Sequence, residues 1–228
     1  MFRVAQAQPD VRAEFIRKTY MHLAGAIGVF IALEAALLQT PLAEYMLKFI
    51  EASRFGWLGI LGGFILVGWL GRSMAANFSS VSMQYMGLGV FVVAEAIIFV
   101  PLLYIAQRFS DPSVIPNAAI ITLGLFAGLT AVAFMTRKDF SFLRGILTIG
   151  GFVALGLIVC SAIFGFGLGL LFSVVMVALA CAAILYDTSK IIHHYAPGQH
   201  VAASLELFAS IALLFWYVLR ILMSLSRD

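Results

Sequence analysis

Apolar residues in this chain come in runs of about twenty, broken by short polar clusters, and polar residues do not alternate with apolar ones within the runs. An α-helix needs about 20 apolar residues to cross a hydrocarbon core of about 30 Å. By that measure the pattern predicts seven spans, at about residues 19–39, 56–76, 81–106, 114–135, 142–164, 166–186 and 201–225. The missing alternation excludes a transmembrane β-barrel, so backbone groups must be satisfied within each helix. The expected fold is all-α: a cytoplasmic N-terminal tail over residues 1–18, then one seven-helix transmembrane domain over 19–228. The breaks carry prolines and charges, as in "QTPLAEY", "FSDPSVIP", "MTRKDFSF" and "HHYAPGQH". Between the fifth and sixth spans stands only "FGFGLG". No strand precedes this GxGxG and no Lys-Ser/Thr follows it, so it reads as a tight helical hairpin rather than a phosphate loop.

Composition agrees with the pattern. Of 228 residues, 63% are hydrophobic and 11% charged, against roughly 25% charged in an average soluble domain. The formal charge of +3 would suggest nucleic acid in a soluble protein, but here the basic residues are spread over short loops and imply topology instead. Arg3, Arg12, Arg17, Lys18, Arg72, Arg137, Lys138, Arg144 and Lys190 fall on the side of the N-terminus. Lys48, Arg54, Arg108, Arg220 and Arg227 fall opposite. Nine against five places the N-terminus in the cytoplasm and the C-terminus outside. "MFRVAQAQPD" has no apolar h-region, so no cleavable signal peptide is expected. Cys160 and Cys181 stand alone in apolar runs, without metal-ligand or disulfide spacing. Small-xxx-small pairs at Ala24/Gly28, Gly59/Gly63 and Gly124/Gly128 would let helix backbones approach closely.

Against this background the acids within or beside spans need explaining: Glu34 in the first, Glu95 in the third, Asp187 at the end of the sixth and Glu206 in the seventh. A charged side chain at mid-bilayer costs about 2.5–3.5 kcal/mol on insertion scales. Such residues should therefore face protein, water or a counter-ion. On the last helix, at 100° per residue from Glu206, Ser210 falls at about 40°, Tyr217 at about 20°, Arg220 at about 320° and Ser224 at about 0°. Its polar groups share one stripe, which suits either a polar pathway or a set of interhelical hydrogen bonds. Lys190 follows Asp187 by one turn and could partner it, and His194 shares that face if the helix continues. Gln84 and Glu95 share a face of the third helix. His22 reads as a satisfied interior histidine, and Glu34 sits towards the outer end of its helix, where interfacial solvation would serve it. No HExxH, GxSxG or paired intramembrane aspartate pattern occurs, so no catalytic residue is named and an enzyme is the least supported class.

Four segments together resemble the Bax inhibitor-1 (transmembrane Bax inhibitor motif) family, most closely its short bacterial YccA-like branch. They are "FIRKTYMHLAGAIGVF" (15–30), "FMTRKDFSFLRG" (134–145), "ILYDTSKII" (184–192) and "SLELFASIALLFWYVLRIL" (204–222). The resemblance implies a seven-helix bundle with the last helix at its centre and, in several members, a pH-sensitive calcium leak. There the aspartate matching Asp187 pairs with a second aspartate on the last helix, joined by a basic residue near the end of the second. Arg72, in "WLGRSMAAN", lies at or next to that basic position. At the second aspartate this chain has Ser210, with Glu206 one turn earlier on the same stripe.

The resemblance therefore implies a latch and ion path made of Asp187, Ser210, Glu206 and Arg72, with Glu95, Lys190, Tyr217 and Arg220 as secondary polar positions. Asp187 and Glu206 would be transient ligands of Ca2+, a transported ion, and no resident cofactor is expected. A carboxylate and a hydroxyl make a weaker pH switch than two carboxylates sharing a proton. The YccA-like branch implies an alternative, a non-conducting modulator of the membrane-anchored AAA protease FtsH, and favours a bacterial inner membrane.

Overall fold

The computed structural model describes residues 4–53, 55–77 and 80–226; Arg3, Arg54 and Arg227 of the charge count lie outside them. After a 3-10 turn at Val4–Gln6, eight α-helices follow: α1 (Pro9–Leu37), α2 (Leu42–Ala52), α3 (Gly56–Ala75), α4 (Val81–Phe109), α5 (Val114–Thr136), α6 (Leu143–Phe164), α7 (Gly169–His193) and α8 (His200–Leu225). Among the described residues, seven of these are long and apolar enough to cross a membrane. The eighth, α2, is an 11-residue amphipathic helix inside what reads in sequence as a connection. It packs against α3 and α4, and Tyr104 of α4 donates a 3.4 Å hydrogen bond to its Glu44.

Local chemistry explains three of the helix ends. The Ser80 hydroxyl accepts from the Met83 amide and caps α4. Gly165, at φ 74°, ends α6, and Gly169, at φ 64°, opens α7, so "FGFGLG" is a tight hairpin because two of its glycines take left-handed conformations. Two helices outrun their apolar runs. α1 begins at Pro9, so its charged first turns extend the membrane helix, and Val4, fully buried, hydrogen bonds through its amide to the Tyr195 carbonyl. α7 continues to His193, which places Asp187 within the helix rather than at its foot.

α8 packs against α1, α3, α4, α5 and α7 and is largely buried, except for a partly exposed stripe through Glu206, Ala209, Leu213, Trp216 and Arg220. α4 shares this central place, touching α1, α2, α3, α5 and α8. Between them lies an aromatic core: Phe99 stacks on Phe215 at 5.8 Å and meets Trp216 edge-on at 4.9 Å, while Phe208 meets Phe91 and Phe30. Two of the long helices come into backbone contact at a glycine pair outside the small-xxx-small motifs. A Cβ on Gly87 would lie 2.5 Å from both the Ala75 nitrogen and the Gly71 oxygen, so the α3 and α4 backbones are in direct contact there. Gly28, Gly63, Gly124 and Gly128 of the predicted motifs have open space where a Cβ would be, and Gly59 meets only the Phe49 ring.

Candidate functional site: a polar seam and an adjoining cavity

Two helices bring polar groups to the first half of α8. Asp187 of α7 and Ser210 of α8 are both buried, and the Ser210 hydroxyl donates a 2.6 Å hydrogen bond to the Asp187 carboxylate. One turn earlier on α8, Glu206 accepts from Nε of Arg72 of α3 at 3.4 Å. The Arg72 guanidinium also lies over the Phe91 ring at 4.8 Å. The geometry thus joins α7 to α8 and α3 to α8 by one polar contact each. Both are charge-assisted if the acids are ionised.

Glu206 and Asp187 share no direct bond, since each carboxylate is held by a different partner. Among the described residues no three His, Cys, Asp or Glu side chains cluster as a metal site. Lys190 makes no ion pair with Asp187; its ammonium lies over the Tyr186 and Tyr195 rings at 5.2 and 5.1 Å. The helix ends before His194, which turns away to Asp139 in the loop before α6, at 3.0 Å.

Beyond the seam a cavity of ≈ 680 Å³ opens between α3, α4, α6 and α8. Its polar lining is Arg72, Glu95, Ser161, Tyr217 and Arg220, and its walls include Trp57, Phe64, Phe99 and Trp216. Arg72 belongs to both regions: it lines the cavity and holds Glu206. Tyr217 packs edge-on against Phe172, and the Arg220 guanidinium lies 6.0 Å from the Tyr217 ring centre. Ser224, the last residue of the predicted stripe, is exposed. Glu95 and Gln84 are both buried but do not extend one seam, because Gln84 donates to the Asn77 carbonyl whereas Glu95 faces the cavity.

Two sequence readings change. Glu34 is only 5% exposed, and neither carboxyl oxygen has a hydrogen-bonding partner among the described residues; it is enclosed by protein rather than solvated at an interface. His22 is hydrogen bonded at both ring nitrogens, to the Lys18 carbonyl and the Tyr85 hydroxyl, and is half-exposed beside the His200 ring.

Sequence reasoning also missed a staple at the N-terminal end of the bundle. The Ser189 hydroxyl, two residues beyond Asp187, accepts from the Phe140 amide at 2.9 Å and donates to the Lys138 carbonyl at 3.4 Å. Asp139 of the same loop accepts from the Ser141 amide and pairs with His194. Burial alone would raise the Asp139 carboxyl, but the bonds from His194 and Ser141 and the imidazole charge outweigh it and hold the group below the ordinary carboxylate value. The Asp-x-Ser of "RKDFSF" is a turn signature that could have located this contact.

The family model for inhibitors of apoptosis-promoting Bax1 matches residues 12–227. The chain is 30% identical over 232 residues to Bax inhibitor 1 of Schizosaccharomyces pombe, covering 99% of this chain and 82% of that protein. It is 26% identical over 228 residues to the Golgi anti-apoptotic protein of Vaccinia virus, covering 96% and 89%. An uncharacterised protein of Pseudomonas aeruginosa is 43% identical over 110 residues, which are 48% of this chain and 49% of that protein.

Proposed function

Because the chain belongs to the Bax inhibitor-1 family, we propose that it is a pH-sensitive cation leak, with Ca2+ as the transported ion and Asp187 as the gating carboxylate. The observation that carries this reading is the position of Arg72. It lines the cavity and also holds Glu206, one turn from Ser210 on α8; in this reading the Arg72–Glu206 and Asp187–Ser210 contacts close the path beyond the cavity.

The chemistry follows from those two contacts. In the closed arrangement Asp187 draws α7 onto α8 through the Ser210 hydroxyl, and Arg72 draws α3 onto the preceding turn. Protonating Asp187 removes the charge that strengthens its hydrogen bond, while deprotonation presents a carboxylate to an arriving cation. A path of this kind needs binding weak enough for the ion to leave, which suits single carboxylates better than a closed multidentate cage. By the charge count the cavity opens to the outside and the seam lies towards the cytoplasm of a bacterial inner membrane.

The test is Ca2+ flux into proteoliposomes loaded with a calcium indicator, across a series of pH values. Wild-type protein passes Ca2+ with a pH dependence that Asp187→Asn flattens. Equal flux in wild-type, Asp187→Asn and protein-free vesicles overturns the reading.

A further inference from the structure

Glu95 has no part in either cross-link of the seam. It is a carboxylate in the middle of a membrane helix, only 6% exposed, whose accessible edge faces the ≈ 680 Å³ cavity. It makes no hydrogen bond and no ion pair with any described residue. Burying a carboxylate without a contacting partner is costly; the Arg72 guanidinium acts on Glu95 only from a distance, its contact being with Glu206, so a cation in direct contact would gain at this position.

The rest of the lining indicates which cation. Ca2+ takes about 6–8 oxygen ligands. Besides Glu95, the cavity lining offers only the Ser161 hydroxyl and the Tyr217 phenol as side-chain oxygens. Aromatic surface is abundant instead: Trp57 and Trp216 stack at 5.7 Å to form one wall, and Phe99 closes against Trp216 at 4.9 Å. A carboxylate set among aromatic rings is the chemistry that recognises an organic ammonium, by charge pairing and by attraction to the ring faces. The volume lies within the range of about 300–1,000 Å³ typical of small-molecule sites.

Two guanidinium groups share the lining. Arg72 is matched by Glu206. Arg220 is remote: Phe99 lies one turn beyond Glu95, its ring meets Trp216, and Arg220 lies one turn beyond Trp216. The two charges are thus about two turns, or ~11 Å, apart along the bundle. We propose that the cavity is a binding site for a small organic ammonium compound, with its cationic head at Glu95 and its apolar body against Trp57, Phe99 and Trp216. This site does not depend on the leak reading, since it needs neither Asp187 nor conduction.

The experiment titrates the full chain, in micelles of dodecyl maltoside, a neutral detergent with no ammonium group, with benzyltriethylammonium, benzyl alcohol and benzenesulfonate, followed by calorimetry. The ammonium compound binds saturably at one per chain, and the alcohol and the sulfonate bind at least tenfold more weakly. Glu95→Gln weakens ammonium binding at least tenfold, Glu95→Asp retains most of it, and Glu34→Gln, an acid removed elsewhere in the bundle, leaves it unchanged. Trp216→Leu weakens it several-fold and serves as the second variant if Glu95→Gln does not fold. The proposal is overturned by equal binding of the alcohol, by tighter binding of the sulfonate, or by unchanged ammonium affinity in a folded Glu95→Gln protein. If Ca2+ flux is absent while ammonium binding follows this pattern, the leak reading fails and the binding site stands.

Discussion

Replacing Ser210 by alanine removes the one direct bond that the described residues make to the Asp187 carboxylate, while changing little volume. The bond is 2.6 Å long and both residues are less than a tenth exposed, so no bulk water replaces the lost donor. Hydrogen bonds to charged groups contribute about 1.5–3 kcal/mol in soluble proteins. Interhelical bonds in membranes average about 0.6 and reach about 1.7 kcal/mol, because the separated helices find other partners. The membrane scale applies to an α7–α8 contact, and a short bond to a carboxylate belongs at its upper end. If the bond exists only in the closed state, losing about 0.6–1.7 kcal/mol raises the open population by roughly 3- to 18-fold. Ca2+ flux at fixed protein density in proteoliposomes should rise by that factor in Ser210→Ala, and Ser210→Thr, which keeps a hydroxyl, should stay near wild type. Unchanged flux in Ser210→Ala, or an equal rise in Ser210→Thr, would refute the assignment of this bond as the latch.

Ser210→Asp restores two facing carboxylates, which titrate in two coupled steps; the flux profile of that variant should become steeper with pH than that of the wild type. Glu34→Leu removes a buried, unpartnered carboxyl and should stabilise the detergent-solubilised protein by about 1–3 kcal/mol, read as a higher melting temperature. Gly87→Ala forces a Cβ into the Gly71 and Ala75 backbone and should cost about 1–3 kcal/mol, whereas Gly63→Ala, with open space around it, should leave the melting temperature unchanged. Asp139→Asn weakens a half-exposed pair with His194, worth about 0–1 kcal/mol. Because the Asp139 carboxyl is held below its ordinary value of 3.8, its contribution is complete above that pH and fades only as pH falls through the lowered value. Thermal melts of Asp139→Asn and wild type should therefore differ by the same small amount from pH 5 to pH 8 as far as Asp139 is concerned, and converge only in stronger acid.

The spans were legible because lipid imposes length and apolarity on each helix separately, and no neighbour is needed to read them. α2 was not, because "LAEYMLKFIEA" is too short and too polar to signal a span; its 3.6-residue apolar face has meaning only against α3 and α4. The extension of α7 past Asp187 was missed for a related reason. Lys190 and His193 look like the end of an apolar run, yet Lys190 rests on two tyrosine rings and His193 bonds back to the Ser189 carbonyl, so the helix keeps its geometry after its hydrophobicity has ended. The glycine motifs misdirected for a different reason. Spacing counts small residues on one helix, whereas close approach needs the facing helix to be small at the same level, as Gly71 and Gly87 are.

The four acids show where sequence reading stops. Glu34, Glu95, Asp187 and Glu206 differ in the chain only by their height along a span, each being one carboxyl in or at the edge of an apolar helix. The fold gives each a different answer. Asp187 receives a hydroxyl from 23 residues away, and Glu206 a guanidinium from 134 residues away. Glu95 faces a cavity, and Glu34 is enclosed without a partner. A polar stripe on α8 could indicate that something polar faces it, but the identity of that partner is set by helices whose rotation about their own axes the stripe does not specify. The two acids that hold helices together can be replaced only at the cost of a contact. Removing Glu34 should cost nothing that the fold uses, and removing Glu95 should break no contact of the fold while changing what the cavity can hold.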